Sequence, residues 1–561
     1  MSYPHLNPLD WSTIQPHVDA LLAADLTPAS ADGWLQQWSD LAAVLYESAA
    51  QINREVTENT ADEEADKRFQ TLVEEIVPRA RMADQALRDR LLALRGYTPS
   101  ADTVELLRRF RAEAGIYRAE NVPILSELMK LDNQYEKTIG GLSIDWNGTT
   151  ETLPQARLHW LSPDREEREK SWRLTMRAFL DQREKLNDLY LRMLDLRRQV
   201  ARNASLPDFR AYKWQELARF DYTPADCRIF HDAIEHEVVP LARKIYAEQA
   251  RKLGLTALRP WDVDVDPHGE PLRPFKEVAD LEEGIHRMFM QVEPELAAHF
   301  AIMRAGFLDL PSRPNKAPGG YCEAFPVTGK PYIFMNAVGT HDDVQTLLHE
   351  GGHAFHFMES RRNPLWWNQN GPMEFCEVAS MGMELLAAPY LPADKGGFYS
   401  DADARRAYAE KLRELVTFLP YMAVVDAFQH WVYVDAPEKV TAADMNARWS
   451  ELWDRFMQGI DYGGLQAEKE TGWHRKQHIF TVPFYYVEYG LAQIGAMQVW
   501  RNALKDQRLA VADYRSALAL GGTRGLSELF RAAGGTFAFD RRTVGELMAL
   551  VEDQLGNLSA A

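Results

Sequence analysis

GTHDDVQTLLHEGGHAFHFMES, residues 339–360, carries the pattern on which the reading of this chain turns. Thr340 followed three residues later by Asp343 is a capping pair, and Val344, Leu347 and Leu348 supply an apolar face, so the stretch is predicted to be a helix. Inside it lies HEGGH. His349 and His353, four residues apart, project from one face about one turn apart, and two imidazoles so placed can share one tetrahedral Zn²⁺. Glu350, next to the first imidazole, stands beside the metal rather than on it, where it can take a proton from metal-bound water. His356 shares the face. With a rise of 1.5 Å per residue it sits about 10 Å along the axis from His349, too far to join the same ion. It reads as an outer or core histidine.

By chance alone HExxH arises in a chain of this length roughly three times in a hundred, so a third ligand is required. The best source is the next predicted helix, GPMEFCEVASMGMELLAAPY, residues 371–390, where Glu374, Glu377 and Glu384 lie roughly on one side. Three carboxylates on a mostly apolar helix are costly to bury without partners, which favours a metal-site role. One could bind the ion while another holds a ligand imidazole through its free N–H. Spacing does not say which.

Outward from these segments, most of the chain reads at helical period. Trp172, Met176, Phe179, Leu186, Leu189, Met193, Leu196 and Val200 lay one apolar stripe along a predicted long helix, opened by Ser162, Pro163 and Asp164. Similar patterns cover 34–52, 64–94, 101–118, 225–253, 403–419 and 507–520. Strand signals are two: LSIDWNGTTETL around Asn147-Gly148, and YCEAFPVTGKPYIFMN, residues 321–336, turning at Thr328-Gly329. The expectation is a mainly α fold with a small sheet and a soft boundary near residues 155–162, where the first hairpin ends and the long helix begins. DVDVDPHG, from Asp262, resembles the opening of a calcium loop, but Pro267 replaces the required Gly and Arg273 the bidentate Glu, so it is read as a loop.

Composition narrows the class. The 561 residues include 63 Lys+Arg against 82 Asp+Glu, a net charge of −19, which argues against a nucleic-acid binder. With 46% hydrophobic residues the chain can bury a substantial core. No apolar run reaches about 18 residues; Met422 to Val434 is broken by Asp426, Gln429 and His430, so no membrane span is expected. MSYPHLNPLDW has neither a basic nor an apolar leader region, and the expected location is cytoplasmic. Cys227, Cys322 and Cys376 are too few and scattered for a disulfide framework or a cysteine zinc site.

HEGGHAFH, followed by EVASMGME beginning at Glu377, resembles the thimet oligopeptidase and oligoendopeptidase F family of zinc peptidases, whose pattern is HExGHxxH followed by ExxSxxxE. The resemblance implies His349, His353 and Glu377 as zinc ligands, Glu350 as catalytic base, Glu384 as the acid supporting a ligand imidazole, and Ser380 as the family serine. It extends to DREEREKSW (164–172), LRPWDVD (258–264) and the GGYCEAF to GT block, covering about residues 160–545. In HIFTVPFYYVEYG, residues 478–490, His478 matches the family histidine, and Tyr486 and Tyr489 match its YxxY spacing. There they would stabilise the oxyanion of the tetrahedral intermediate. Pro483 is expected to open the helix carrying them.

Two departures stand out. The Gly-Gly-Tyr loop of the thimet branch is absent, which favours the oligoendopeptidase F branch and keeps Tyr485 in the choice of tyrosines. Gly351 stands where many relatives carry a bulky apolar residue. The family implies a large helical ellipsoid with a deep substrate channel and a small β-sheet beside the zinc helix. Residues 1–160 would form an N-terminal helical region with a short hairpin, part of the channel wall, and 161–561 the catalytic domain. It also implies one Zn²⁺ per chain and endopeptidase action on internal bonds of short unstructured peptides. A carboxypeptidase on the same fold is the rival, but no cation for a free carboxylate is identified. Tyr332 to Asn336 could be an exposed strand edge for substrate backbone or a core strand, and Gly319-Gly320 a close-approach point or a turn. If acidity lines the channel, basic or neutral peptides should be favoured at low salt.

Overall fold

The computed structural model describes residues 6–560 apart from 270, 314 and 318. The first five residues, part of the stretch read for a leader, lie outside the described residues. Helices account for 69% of the chain and strands for 5%, as the helical periodicity requires. The chain forms two compact units, each assembled from three segments. The first holds residues 1–115, 273–406 and 495–537; the second holds 116–272, 407–494 and 538–561. Residues 160 and 161, where a boundary was expected, both belong to the second unit. No helix among the described residues is long and apolar enough to cross a membrane.

In the first unit a helical core of Ile14, Trp34, Trp38, Leu87, Leu106 and Phe110 backs onto Leu365. Its sheet has three strands, β3 (Leu308–Pro311), β4 (Tyr321–Phe325) and β5 (Lys330–Ala337), in the order β3-β5-β4. β4 and β5 form the antiparallel hairpin expected from the sequence, with Gly329 at φ +70° in its turn. β3 pairs parallel to β5 and was not anticipated: four residues, LDLP, ending in proline, carry too little pattern. Lys316 pins this edge, its Nζ donating to the carbonyls of Asp309 and Pro311 on β3 and of Met335 on β5. β5 is therefore the central strand, and Tyr332, Ile333, Phe334 and Met335 are all buried. The segment from Tyr332 to Asn336 is a core strand, not an exposed edge. Gly319, at φ +94°, makes a turn before β4.

In the second unit β1 (Ser143–Trp146) and β2 (Thr149–Thr152) pair antiparallel. Asn147 and Gly148 both have positive φ, as a two-residue hairpin of this twist demands. The long helix expected from residue 165 is two, Arg165–Leu180 and Arg183–Asn203. The apolar stripe has no member between Phe179 and Leu186, so nothing anchors the intervening turn. There the Gln182 N–H bonds the Phe179 carbonyl, three residues back. The N-cap is Asp164, whose carboxylate accepts from the Glu166 N–H; Ser162 instead accepts from Asp164 N–H and donates to Glu167. Asp262, first residue of the calcium-like stretch, is buried against Arg165 and Arg168. Burial opposes its ionisation, but their donors hold its carboxyl below the usual range.

Candidate metal centre

β5 runs through Val338–Thr340 into the His341–Ser360 helix, so the sheet fixes where that helix starts. Thr340 Oγ1 accepts from the Asp343 N–H, and the Asp343 carboxylate accepts from the N–H groups of Val338, Gly339 and Thr340. The expected capping pair is thus complete, and the acid lies at the positive end of the helix dipole. Val344, Leu347 and Leu348 are fully buried, turning His349 and His353 toward the Met373–Ala387 helix.

The two helices touch through glycine. A Cβ on Gly352 would lie 2.5 Å from the Ala379 carbonyl oxygen and 2.6 Å from Ser380 Cα. Only hydrogen lets the backbones come this close. One residue earlier, a Cβ on Gly351 would meet Phe289 Cζ at 2.7 Å, and Phe289 packs edge-on against Phe300 and Phe355. The bulky residue missing at position 351 is replaced by this ring.

Close approach brings Glu377 onto the histidines. Its Oε2 lies 3.4 Å from His349 Nε2 and 3.7 Å from His353 Nε2, and one donor atom from each residue lies within 4.8 Å of the others. Ser380 Oγ, 3.0 Å away, donates to the same oxygen. Glu384, seven residues on, takes His349 Nδ1–H at 2.8 Å, which leaves Nε2 as the ligating nitrogen. Among Glu374, Glu377 and Glu384, tertiary packing thus separates a carboxylate beside both histidines from one behind the first. Glu374 is buried on the same helix but does not join the three-donor set. His356 is a core histidine: its Nε2 is buried without a partner, and burial lowers its pKa to about 3.

The electrostatics suit a cation. Burial lowers His353 to about 4, so it is a neutral imidazole. Burial would lower His349 too, but its hydrogen bonds to Glu377 and Glu384 raise it to about 10. Burial opposes ionisation of Glu377, yet His353, His349 and Ser380 hold it below the usual carboxylate range. Glu350 is raised to about 7 by burial, with His349 opposing and the charges of Glu377 and Glu384 adding. Two imidazoles and one carboxylate form the three-donor set that fits catalytic zinc, whose fourth position is kept for water. The histidine side chains keep 25% and 22% of their surface exposed.

A second cluster, Cys227, Asp426 and His430 in the second unit, has comparable spacing but other chemistry. Asp426 accepts from His231 Nε2 at 2.8 Å and lies 3.3 Å from His430 Nε2. Arg210, 3.2 Å from His430 Nδ1, can only donate, which puts the imidazole proton on Nε2, facing Asp426. Both ring nitrogens of His430 thus face partners within the protein, and the group forms a buried polar network.

His478, Tyr485, Tyr486 and Tyr489 also lie in the second unit and gather into one cluster. The His478 ring centre is 5.0 Å from Tyr486, 5.8 Å from Tyr489 and 6.0 Å from Tyr485. Tyr485 and Tyr486 are not helical. The helix opens at Val487, because Phe484 adopts φ +66° one residue after Pro483 and interrupts the backbone. Gln429 Oε1 stabilises that turn by accepting from the Phe484 N–H. Sequence reasoning missed Lys476, whose Nζ lies 3.8 Å from the Tyr486 ring centre. A lysine two residues before His478 was the only signal.

The sequence model of peptidase family M3 matches residues 158–548. The oligoendopeptidase F homolog of Borreliella burgdorferi is 22% identical over 316 residues, 53% of this chain and 50% of that protein. Oligopeptidase PepF of Bacillus subtilis is 24% identical over 262 residues, 45% of this chain and 38% of that protein. The matches thus span half or less of these curated relatives. The solved structure of PZ peptidase A with an inhibitor superposes with a TM-score of 0.90 at 27% identity, covering 99% of this chain and 98% of that one.

Proposed function

The chain belongs to peptidase family M3, and from that premise we propose that it is a zinc-dependent oligoendopeptidase hydrolysing internal bonds of short unstructured peptides. The observation that carries the reading is the meeting of His349, His353 and Glu377 donor atoms within 4.8 Å, with Glu350 next in sequence to the first. These three residues hold the metal, and Glu384 fixes the His349 tautomer. Bound there, zinc supplies a Lewis acid that polarises a carbonyl and acidifies water. Glu350 takes a proton from the attacking water and passes it to the leaving amine. A carboxyl raised to about 7 is matched to both transfers near neutral pH. His478 with Tyr486 or Tyr489 donates to the developing oxyanion; the family pattern and the clustering of these rings support this role.

The test is hydrolysis of an internally quenched, end-blocked peptide by wild type and Glu350→Gln, with zinc quantified in both. One zinc per chain in each and cleavage abolished in the variant is the expected result. Equal rates would remove Glu350 as the base. Cleavage confined to peptides with a free C-terminus would make the protein a carboxypeptidase instead.

A further inference from the structure

Lys476 carries a charge that nothing in the described chain neutralises. Its Nζ lies 3.8 Å from the centre of the Tyr486 ring and 5.7 Å from that of Tyr421, and no carboxylate among the described residues pairs with it. Lys316, the part-buried lysine of the first unit, shows the contrast: it has three carbonyls and Asp309 as partners. Burial lowers Lys476 only to about 8, so the ammonium stays mostly protonated at neutral pH.

A half-buried cation resting on an aromatic face recovers part of its lost hydration from the ring. The rest remains to be recovered from an anion. An incoming carboxylate meets a charge only partly hydrated and held against a ring, so it gains more than it would from a fully exposed lysine. The ring occupies one side of the ammonium, leaving N–H donors for a carboxylate oxygen. His478, two residues on, is 5.0 Å from the same Tyr486 ring, so the cation sits beside the groups proposed as oxyanion donors.

We infer that Lys476 is a specificity residue that receives a carboxylate of the bound peptide, either its C-terminal group or an Asp or Glu side chain. The inference rests on the peptidase reading of the His478, Tyr486 and Tyr489 cluster. It supplies the cation that sequence reasoning did not identify. The interaction is local, so it is compatible with a long-range preference of an acidic protein for basic or neutral peptides.

The test uses one quenched peptide in matched versions: free C-terminal acid against amide, and, with the amide end, Glu against Gln at each position in turn. kcat/KM is measured for wild type, Lys476→Met and Lys476→Arg. Dissociation constants are measured by anisotropy in the Glu350→Gln background, where turnover does not intervene. Wild type should prefer one carboxylate-bearing version by about tenfold, as a charge-assisted hydrogen bond allows. The preference should fall toward one in Lys476→Met and largely survive in Lys476→Arg. Collapse of the acid-to-amide ratio identifies the terminus, and collapse of one Glu-to-Gln ratio identifies a side chain. An unchanged ratio in Lys476→Met, or an equal loss of kcat on every version, would overturn the inference. If Lys476→Met fails to fold, the absence of any carboxylate preference in wild-type and Lys476→Arg binding overturns it equally. Failure of the peptidase reading shows separately, as no Glu350-dependent cleavage by any version, while the binding ratios still decide Lys476.

Discussion

Gly352→Ala tests whether helix-to-helix contact builds the metal centre. The added methyl would lie 2.5 Å from the Ala379 carbonyl oxygen and 2.6 Å from Ser380 Cα. Both neighbours are backbone, so no rotamer change relieves the clash. Reaching an ordinary contact distance requires the helices to part by about 0.9 Å, at a cost of about 1–3 kcal/mol for overpacking. Glu377 sits one turn before Ser380 and moves with it, away from His349 and His353. A ligand displaced on that scale should weaken zinc binding by about tenfold or more. The assay is competition with a chromophoric chelator on purified protein, with circular dichroism to check the fold. Gly351→Ala is the control, because its methyl meets the Phe289 ring rather than the backbone of the Met373–Ala387 helix, so its strain falls on the Phe289–Phe300–Phe355 packing and not on the Glu377 helix. The reasoning is wrong if Gly352→Ala keeps wild-type zinc affinity while folded, or if Gly351→Ala loses as much.

Zinc uptake at pH 7 should release about one proton. In the metal-free protein His349, raised to about 10, is protonated, whereas His353, lowered to about 4, and Glu377, held below its usual range, are not. Ligation displaces the His349 proton, so affinity should rise about tenfold per pH unit toward pH 10 and fall as pH drops. Calorimetry in buffers of different ionisation enthalpy reads the count, and zero protons would contradict it. Asp426→Ala should lower stability by about 3–5 kcal/mol, seen as a reduced denaturant midpoint, because it strips the buried anion from His231 and His430. It should leave one zinc per chain, whereas His349→Ala should leave none. Zinc lost on Asp426→Ala but kept on His349→Ala would reverse the assignment of the two clusters.

Local pattern was legible wherever one element decides its own geometry. The Thr340–Asp343 cap, the apolar face of the HEGGH helix and the Asn147-Gly148 turn depend on neighbours within four residues, and each formed as read. The pair His349 and His353 followed from helix pitch alone. Reading stopped where a partner from elsewhere in the chain decides. β3 is too short to announce itself and exists because β5 offers it a hydrogen-bonding edge. The turn at Phe484 strains its own backbone and is stabilised by Gln429, 55 residues away.

The sequence by itself determined a mainly helical chain, two imidazoles on one helix face, a base beside them and three candidate acids, because helical spacing is intrinsic to the backbone. Which acid reaches the histidines was decided only by tertiary structure. Glu377 and Glu384 occupy the same face of one helix, and the glycine contact at position 352 sets the depth at which that helix docks. That depth places Glu377 against both Nε2 atoms and Glu384 behind His349. Spacing orders residues along a helix, but the distance between two helices is a property of packing.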